Sequence, residues 1–201
     1  GIRIGERHQP FGLGFMNGPI YGEDVFIPLD YLIGGMAYAG EGWQMMLSCL
    51  SLGRGISLPA LSTGITQTAC RISSAYAMIR QQFKTNIGAF EGVQSSLARI
   101  TAFNYCCEST RLLTALGVAA GKRPAVAAAI SKYHLTEMAQ RVVIDAMDIL
   151  GGAAIQLGPR NRMANLYLAT QMNRSVEGAN ILTRNLMIYG QGVLRCHPNL
   201  Q

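Results

Sequence analysis

Residues 124–152 read PAVAAAISKYHLTEMAQRVVIDAMDILGG, and this stretch decides the fold class. Leu135, Met138, Val142, Ala146 and Ile149 recur at intervals of three and four. That is the apolar stripe of an amphipathic helix. Gly121 and Pro124 mark its start, and Gly151-Gly152 stop it. Working outward, Val93, Leu97, Ile100, Phe103 and Cys107 keep helical spacing over about 91–120. Further upstream the pattern predicts a short helix over 43–52 and a long one over 55–83, with Pro59 near its first turn. Downstream, shorter helices are expected near 159–172 and 178–190. Three long amphipathic helices joined by short loops predict an antiparallel bundle. A ferritin-like binding module has the same outline, but its di-iron chemistry needs Glu-x-x-His motifs on facing helices, which this sequence lacks.

Residues 1–37 read differently. Gly and Pro are frequent, β-prone runs such as 24–29 (DVFIPL) are short, and turns fall at Asn17-Gly18-Pro19 and Gly34-Gly35. Two or three short strands are expected, as the end of a β domain, with a helical domain over 38–201. The sequence opens at Gly1 inside this strand-like region, which predicts a piece of a longer protein. The fold class expected is therefore mainly α: an antiparallel helical bundle preceded by a short β segment.

Composition narrows the function. Hydrophobic residues make up 49% and charged residues 14% of 201, a surface poor in charge that expects to be covered by other subunits or segments. Net charge is +6, yet the basic residues are scattered, with no run longer than Lys122-Arg123. Nucleic-acid binders concentrate such charge, so a phosphorylated small molecule is the better expectation. Cys49, Cys70, Cys106, Cys107 and Cys196 show no metal-ligand spacing, His8, His134 and His197 form no HExxH, and no metal site is expected. The thiols read as buried and reduced, as in a cytoplasmic protein. No signal peptide or uncharged membrane-length segment is visible.

Five segments carry more. They are 22–28 (GEDVFIP) with Ile33-Gly34-Gly35, then 40–43 (GEGW) leading to Leu52-Gly53-Arg54, then Arg80-Gln81-Gln82-Phe83 with Gln94, then Ile149-Leu150-Gly151-Gly152, and finally 176–180 (VEGAN). In this order and spacing the chain resembles the acyl-CoA dehydrogenases, most nearly the bacterial long-chain type, and the likeness covers nearly its whole length. It implies FAD-dependent α,β-dehydrogenation of a fatty acyl-CoA to the trans-2-enoyl product, the first step of fatty-acid β-oxidation. The implied partners are the acyl-CoA, an electron-transferring flavoprotein and further copies of the chain as a homodimer or homotetramer. The implied location is the bacterial cytoplasm, open to peripheral association with the inner membrane. An acyl-CoA oxidase would share the base and pass electrons to oxygen. A non-catalytic helical oligomerisation module is the rival from another class, and this piece alone is expected to have little activity.

By this resemblance Glu177 removes the α-proton of the acyl thioester while hydride leaves the β-carbon for the flavin. A carboxylate in a water-poor site is a stronger base. Read without the resemblance, Glu177 is an exposed loop acid or an acid at the start of the helix near 178. Arg80 matches the arginine that contacts the FAD pyrophosphate, and Phe83 the ring that packs on the cofactor; a cation at a helix C-terminus is the plainer reading of Arg80. Gln94 and the turn Ile149, Leu150, Gly151 and Gly152 match contacts to FAD from the neighbouring subunit, although Gly151-Gly152 serve equally as a helix cap. Ala179 and Asn180 stand where the family has Thr-x-Gln contacts to the cofactor. Arg54 and Gly178 fall at the substrate end, with an ordinary salt bridge the alternative for Arg54. Lys84, Asp148 and Ala169-Thr170 depart from the family pattern.

Overall fold

The computed structural model describes residues 1–14, 16–161, 163–190, 192–193 and 199, so Cys196 and His197 lie outside the described residues. The chain forms two compact units, Gly1–Cys49 and Leu50–Gln201.

In the first unit β1 (Ile2–Ile4) pairs antiparallel with β2 (Ile20–Gly22), Ile2 facing Gly22 and Ile4 facing Ile20. A bridge between His8 and Asn17 extends the ladder. The run 24–28 does not become a strand. Among the described residues nothing pairs with it, and Phe26 and Ile27 stay exposed. β propensity needs a partner edge to act on. Short 3₁₀ turns at Leu29–Tyr31 and Met36–Tyr38 follow.

The second unit is the expected helical bundle, and the chain is mainly α as a whole. Helix α1 spans Gly42–Ile79, α2 Glu91–Ala119 and α3 Ala125–Leu150. Between α1 and α2 lies a small hairpin, β3 (Gln81–Gln82) with β4 (Thr85–Asn86). After α3 come α4 (Gly152–Ile155), α5 (Met163–Ser175) and α6 (Asn180–Leu182), which runs into a π-helical stretch over Thr183–Gly190. The pairing of α2 with α3 is antiparallel. Arg99 bonds Asp145 at 2.7 and 2.9 Å, Cys107 meets Met138 at 4.0 Å and Thr114 meets Ser131 at 3.3 Å, so one number rises as the other falls. Helix α1 opposes α2 in the same sense through Thr66 with Asn104 and Cys70 with Thr101. Ile65, Ala69, Ile100, Val142, Val143, Ala146 and Ile149 pack the centre.

Two expected boundaries change. The break expected at Leu52-Gly53-Arg54 is absent, and α1 runs through it, so Pro59 lies deep in the helix. Proline there removes a ladder bond. Packing offsets the loss, because Arg54, Gly55, Leu58, Pro59 and Ser62 are all buried. A Cβ on Gly55 would stand 2.9 Å from the Ala128 Cβ and 3.2 Å from Thr114 Cγ2, so glycine is what lets α1 approach α2 and α3 this closely. Helix α1 also stops at Ile79 instead of reaching Phe83, because the β3–β4 hairpin takes over. Of the described thiols only Cys107 is fully buried; Cys49 and Cys106 are exposed, contrary to the buried reading.

Candidate active site

The site is built on the turn that joins α5 to α6. Helix α5 ends at Ser175, and Glu177 and Gly178 both have positive φ, 52° and 89°. A left-handed glutamate is sterically disfavoured and persists only where its surroundings hold it. Here two cations do so. Arg54, 6% exposed on α1, donates from Nε to the Glu177 carbonyl at 2.7 Å. Lys132, fully buried on α3, donates from Nζ to the carbonyls of Gly178 at 2.9 Å and Arg174 at 3.1 Å, and to Asn180 Oδ1 at 2.6 Å. Asn180 Nδ2 donates in turn to Thr136 Oγ1 at 2.9 Å and Glu137 Oε1 at 2.7 Å, and Arg174 pairs with the same Glu137 oxygen at 2.9 Å. Thr183 Oγ1 donates to the Gly178 carbonyl as well.

The Glu177 side chain is different. Its Oε2 is buried and, among the described residues, accepts no hydrogen bond. Burial pushes its pKa above the usual carboxylate range, while the charges of Arg54 and Lys132 pull it back. Burial lowers the pKa of Arg54 too, against the pull of Glu177. Burial, and the nearby Arg54 charge after it, bring Lys132 down to about 8. A half-buried carboxylate with one dry, unclaimed oxygen can accept a proton from a weak carbon acid brought against it.

Three other sequence-predicted residues, Arg80, Phe83 and Gln94, lie between the end of α1 and the first turn of α2. Phe83 and Lys84 form the hairpin loop, both with positive φ, 52° and 65°, the pattern of a type I′ turn without the usual glycine. The Phe83 ring is 91% exposed and meets Phe90 edge to face at 6.3 Å. Arg80 is exposed just beyond α1, its carbonyl taken by the Ile87 N–H. Gln94, also exposed, donates from Nε2 to the Gly88 carbonyl at 3.0 Å. At the end of α3 the Ile149 side chain enters the core and Leu150 packs against it. Gly151 turns with φ 59° and ψ −136°, and Gly152 opens α4. Nothing stands within 4 Å of a Cβ built on either glycine, so their backbone faces open space.

The structure thus joins Arg54, Glu177, Gly178 and Asn180 in one cluster, with Ala179 exposed beside them as the residue before α6. Lys132, Thr136, Glu137 and Arg174 complete it and were not singled out from sequence. One signal was present. Lys132 sits on the buried stripe of Ala128, Leu135, Ala139, Val142 and Ala146, where an unpaired charge does not belong. Among the described residues no cluster of His, Cys, Asp or Glu could hold a metal, and no helix is long and apolar enough to cross a membrane.

Known proteins resemble this chain in sequence and in fold. Residues 40–190 match the family described as the acyl-CoA dehydrogenase C-terminal domain. Over 197 residues the chain is 30% identical to the probable acyl-CoA dehydrogenase FadE10 of Mycobacterium tuberculosis, covering 93% of this chain and 30% of that protein. Its fold superposes on butyryl-CoA dehydrogenase from Megasphaera elsdenii with a TM-score of 0.82 at 24% identity, over 97% of this chain and 49% of that one. The FAD complex of PigA gives a TM-score of 0.80 at 23% identity, over 96% and 49%. The chain therefore spans between about a third and a half of the length of these relatives.

Proposed function

Because this chain belongs to the acyl-CoA dehydrogenase family, through its C-terminal domain, we propose that it supplies the catalytic base, Glu177, for FAD-dependent α,β-dehydrogenation of a fatty acyl-CoA to the trans-2-enoyl-CoA. The observation that carries the reading is Glu177 Oε2, buried and unclaimed beside two cations. With the substrate α-carbon against it, that oxygen takes the α-proton. Burial raises the basicity of the carboxylate, and Arg54 and Lys132 partly oppose that rise by favouring its ionised form. Gly178, without a side chain, leaves room for the thioester beside the base, and Arg54 stands at the same end.

The chain's residues suit FAD. Arg80 offers an exposed guanidinium for a pyrophosphate, Phe83 an exposed ring for packing on the cofactor, and Gln94 an exposed amide in the first turn of α2. The turn Ile149–Gly152 presents open backbone at its glycines. Ala179, exposed on the turn, offers a main-chain contact, whereas Asn180, expected from sequence to touch the cofactor, is buried with its amide bonded to Lys132, Thr136 and Glu137. When bound, FAD supplies the acceptor for the β-hydride.

Residues 1–37 fit the end of a β domain and residues 38–201 the helical domain, and the single piece is expected to turn over poorly without the rest. Exposed Tyr105, Leu113 and Leu116 on α2 support a homodimer or homotetramer. An electron-transferring flavoprotein is the proposed oxidant, β-oxidation the proposed setting, and the bacterial cytoplasm the proposed location. Peroxide formed in step with substrate would instead identify an oxidase.

Glu177→Gln in the full-length protein tests the mechanism. Turnover should fall about 10³-fold, within the range for loss of a general base, with flavin content unchanged. In the native protein kcat/KM should decline as pH falls through the raised Glu177 pKa, since the base must be ionised. Turnover within a few-fold of native in the Gln protein ends this reading.

A further inference from the structure

Lys132 is a buried charge whose hydrogen bonds the proposed chemistry does not account for. It is fully excluded from solvent on the apolar stripe of α3. An ammonium survives there only if its donors are satisfied. All three are, and the acceptors bracket the base: the Arg174 carbonyl three residues before Glu177, the Gly178 carbonyl one after and the Asn180 amide three after. Asn180 is anchored again one turn along α3, on Thr136 and Glu137. The segment is therefore fastened to one helix at two levels, while Arg54 holds the Glu177 carbonyl from α1.

Two successive left-handed residues aim the 177 and 178 carbonyls at these two cations. Without Lys132 the Gly178 carbonyl would keep only the Thr183 hydroxyl, and α3 would hold the segment only through Asn180 and Arg174, neither of which grips the carbonyl of a left-handed residue. We propose that Lys132 is a positioning residue for Glu177, holding the 174–180 turn in the conformation that brings the carboxylate to the substrate. This rests on Glu177 being the base. The charged groups around the carboxylate are Arg54 from α1 and Lys132 from α3, with Glu137 and Arg174 set around Lys132. Removing Lys132 takes away one of the two charges that oppose burial, so the Glu177 pKa rises further.

The test uses the full-length, FAD-loaded protein with Lys132→Met, Lys132→Arg and Glu177→Gln, following kcat and KM for an acyl-CoA across a pH series. Lys132→Met should lose about 100-fold in kcat, the scale of a small misplacement of a catalytic group. Its KM should stay within about threefold of native, flavin content should hold, and the acidic limb of the pH profile should move to higher pH. Lys132→Arg keeps the charge but cannot place one nitrogen on all three acceptors, so the limb stays near native while kcat falls at least about tenfold. If the Met protein does not fold, the Arg protein decides alone, and native kcat in it overturns the proposal. Native kcat in Lys132→Met, or an activity loss with the acidic limb unmoved, overturns it too. Glu177→Gln separates the two ideas: an active Gln protein removes the base itself, whereas an inactive Gln protein beside a fully active Met protein removes only the role of Lys132.

Discussion

The turn at 174–180 and the hairpin at 81–86 are both short, polar and left-handed at two successive residues, yet they are held in opposite ways. In the turn every strained carbonyl meets a buried cation, and Asn180 spends both its N–H donors and its oxygen inside the chain. In the hairpin Phe83 and Lys84 carry the same strain with the ring almost wholly exposed and no buried charge to answer for it. The first arrangement is complete in itself apart from one carboxylate oxygen. The second presents side chains outward, as expected where a ligand or another subunit supplies the rest. Strain enclosed by the chain's own donors fixes one atom for chemistry. Strain at an exposed edge presents side chains for binding.

Three substitutions bear on that contrast, in order of expected effect. Asn180→Ala would leave Lys132, Thr136 and Glu137 each short of a partner. The protein should lose about 2–3 kcal/mol in chemical denaturation while FAD affinity stays near native. A large loss of flavin with unchanged stability would move Asn180 from the enclosed set to the outward one. Arg80→Ala should act in the reverse sense. It removes a charge-assisted contact worth about 1.5–3 kcal/mol, so the flavin Kd by fluorescence titration should rise roughly 10- to 100-fold with little change in apoprotein stability. Lys84→Gly should be mildly stabilising, by about 1 kcal/mol in thermal or urea unfolding, because glycine accepts positive φ without the Cβ clash. Destabilisation by this change would mean that Lys84 makes an interaction worth more than its strain.

The bundle was legible because α2 and α3 write their buried faces at helical spacing, from Val93 to Cys107 and from Leu135 to Ile149. The continuity of α1 was not, because Gly53, Gly55 and Pro59 signal a break locally. Burial of Arg54, Gly55 and Leu58 overrides that signal, and such packing is not a local property. The hairpin was missed for a related reason. The loop residues Phe83 and Lys84 carry none of the Asn or Gly that announces a type I′ turn. At the site, the ordered motifs pointed to Glu177 and Arg54. Lys132, Thr136 and Glu137 escaped notice because their partners in the cluster lie 37 to 48 residues away, and an isolated lysine on a helix usually faces water. Its place on the apolar stripe was the readable clue.

The buried lysine also constrains how the molecule is made. Helix α3 leaves the ribosome before the segment from Arg174 to Asn180, which carries every acceptor that Lys132 uses. Until that segment is synthesised, the stripe of α3 bears a naked ammonium that resists being dried. Drying that ammonium before its acceptors exist would cost free energy, so nascent chains that stall before residue 174 should stay open to proteases at α3.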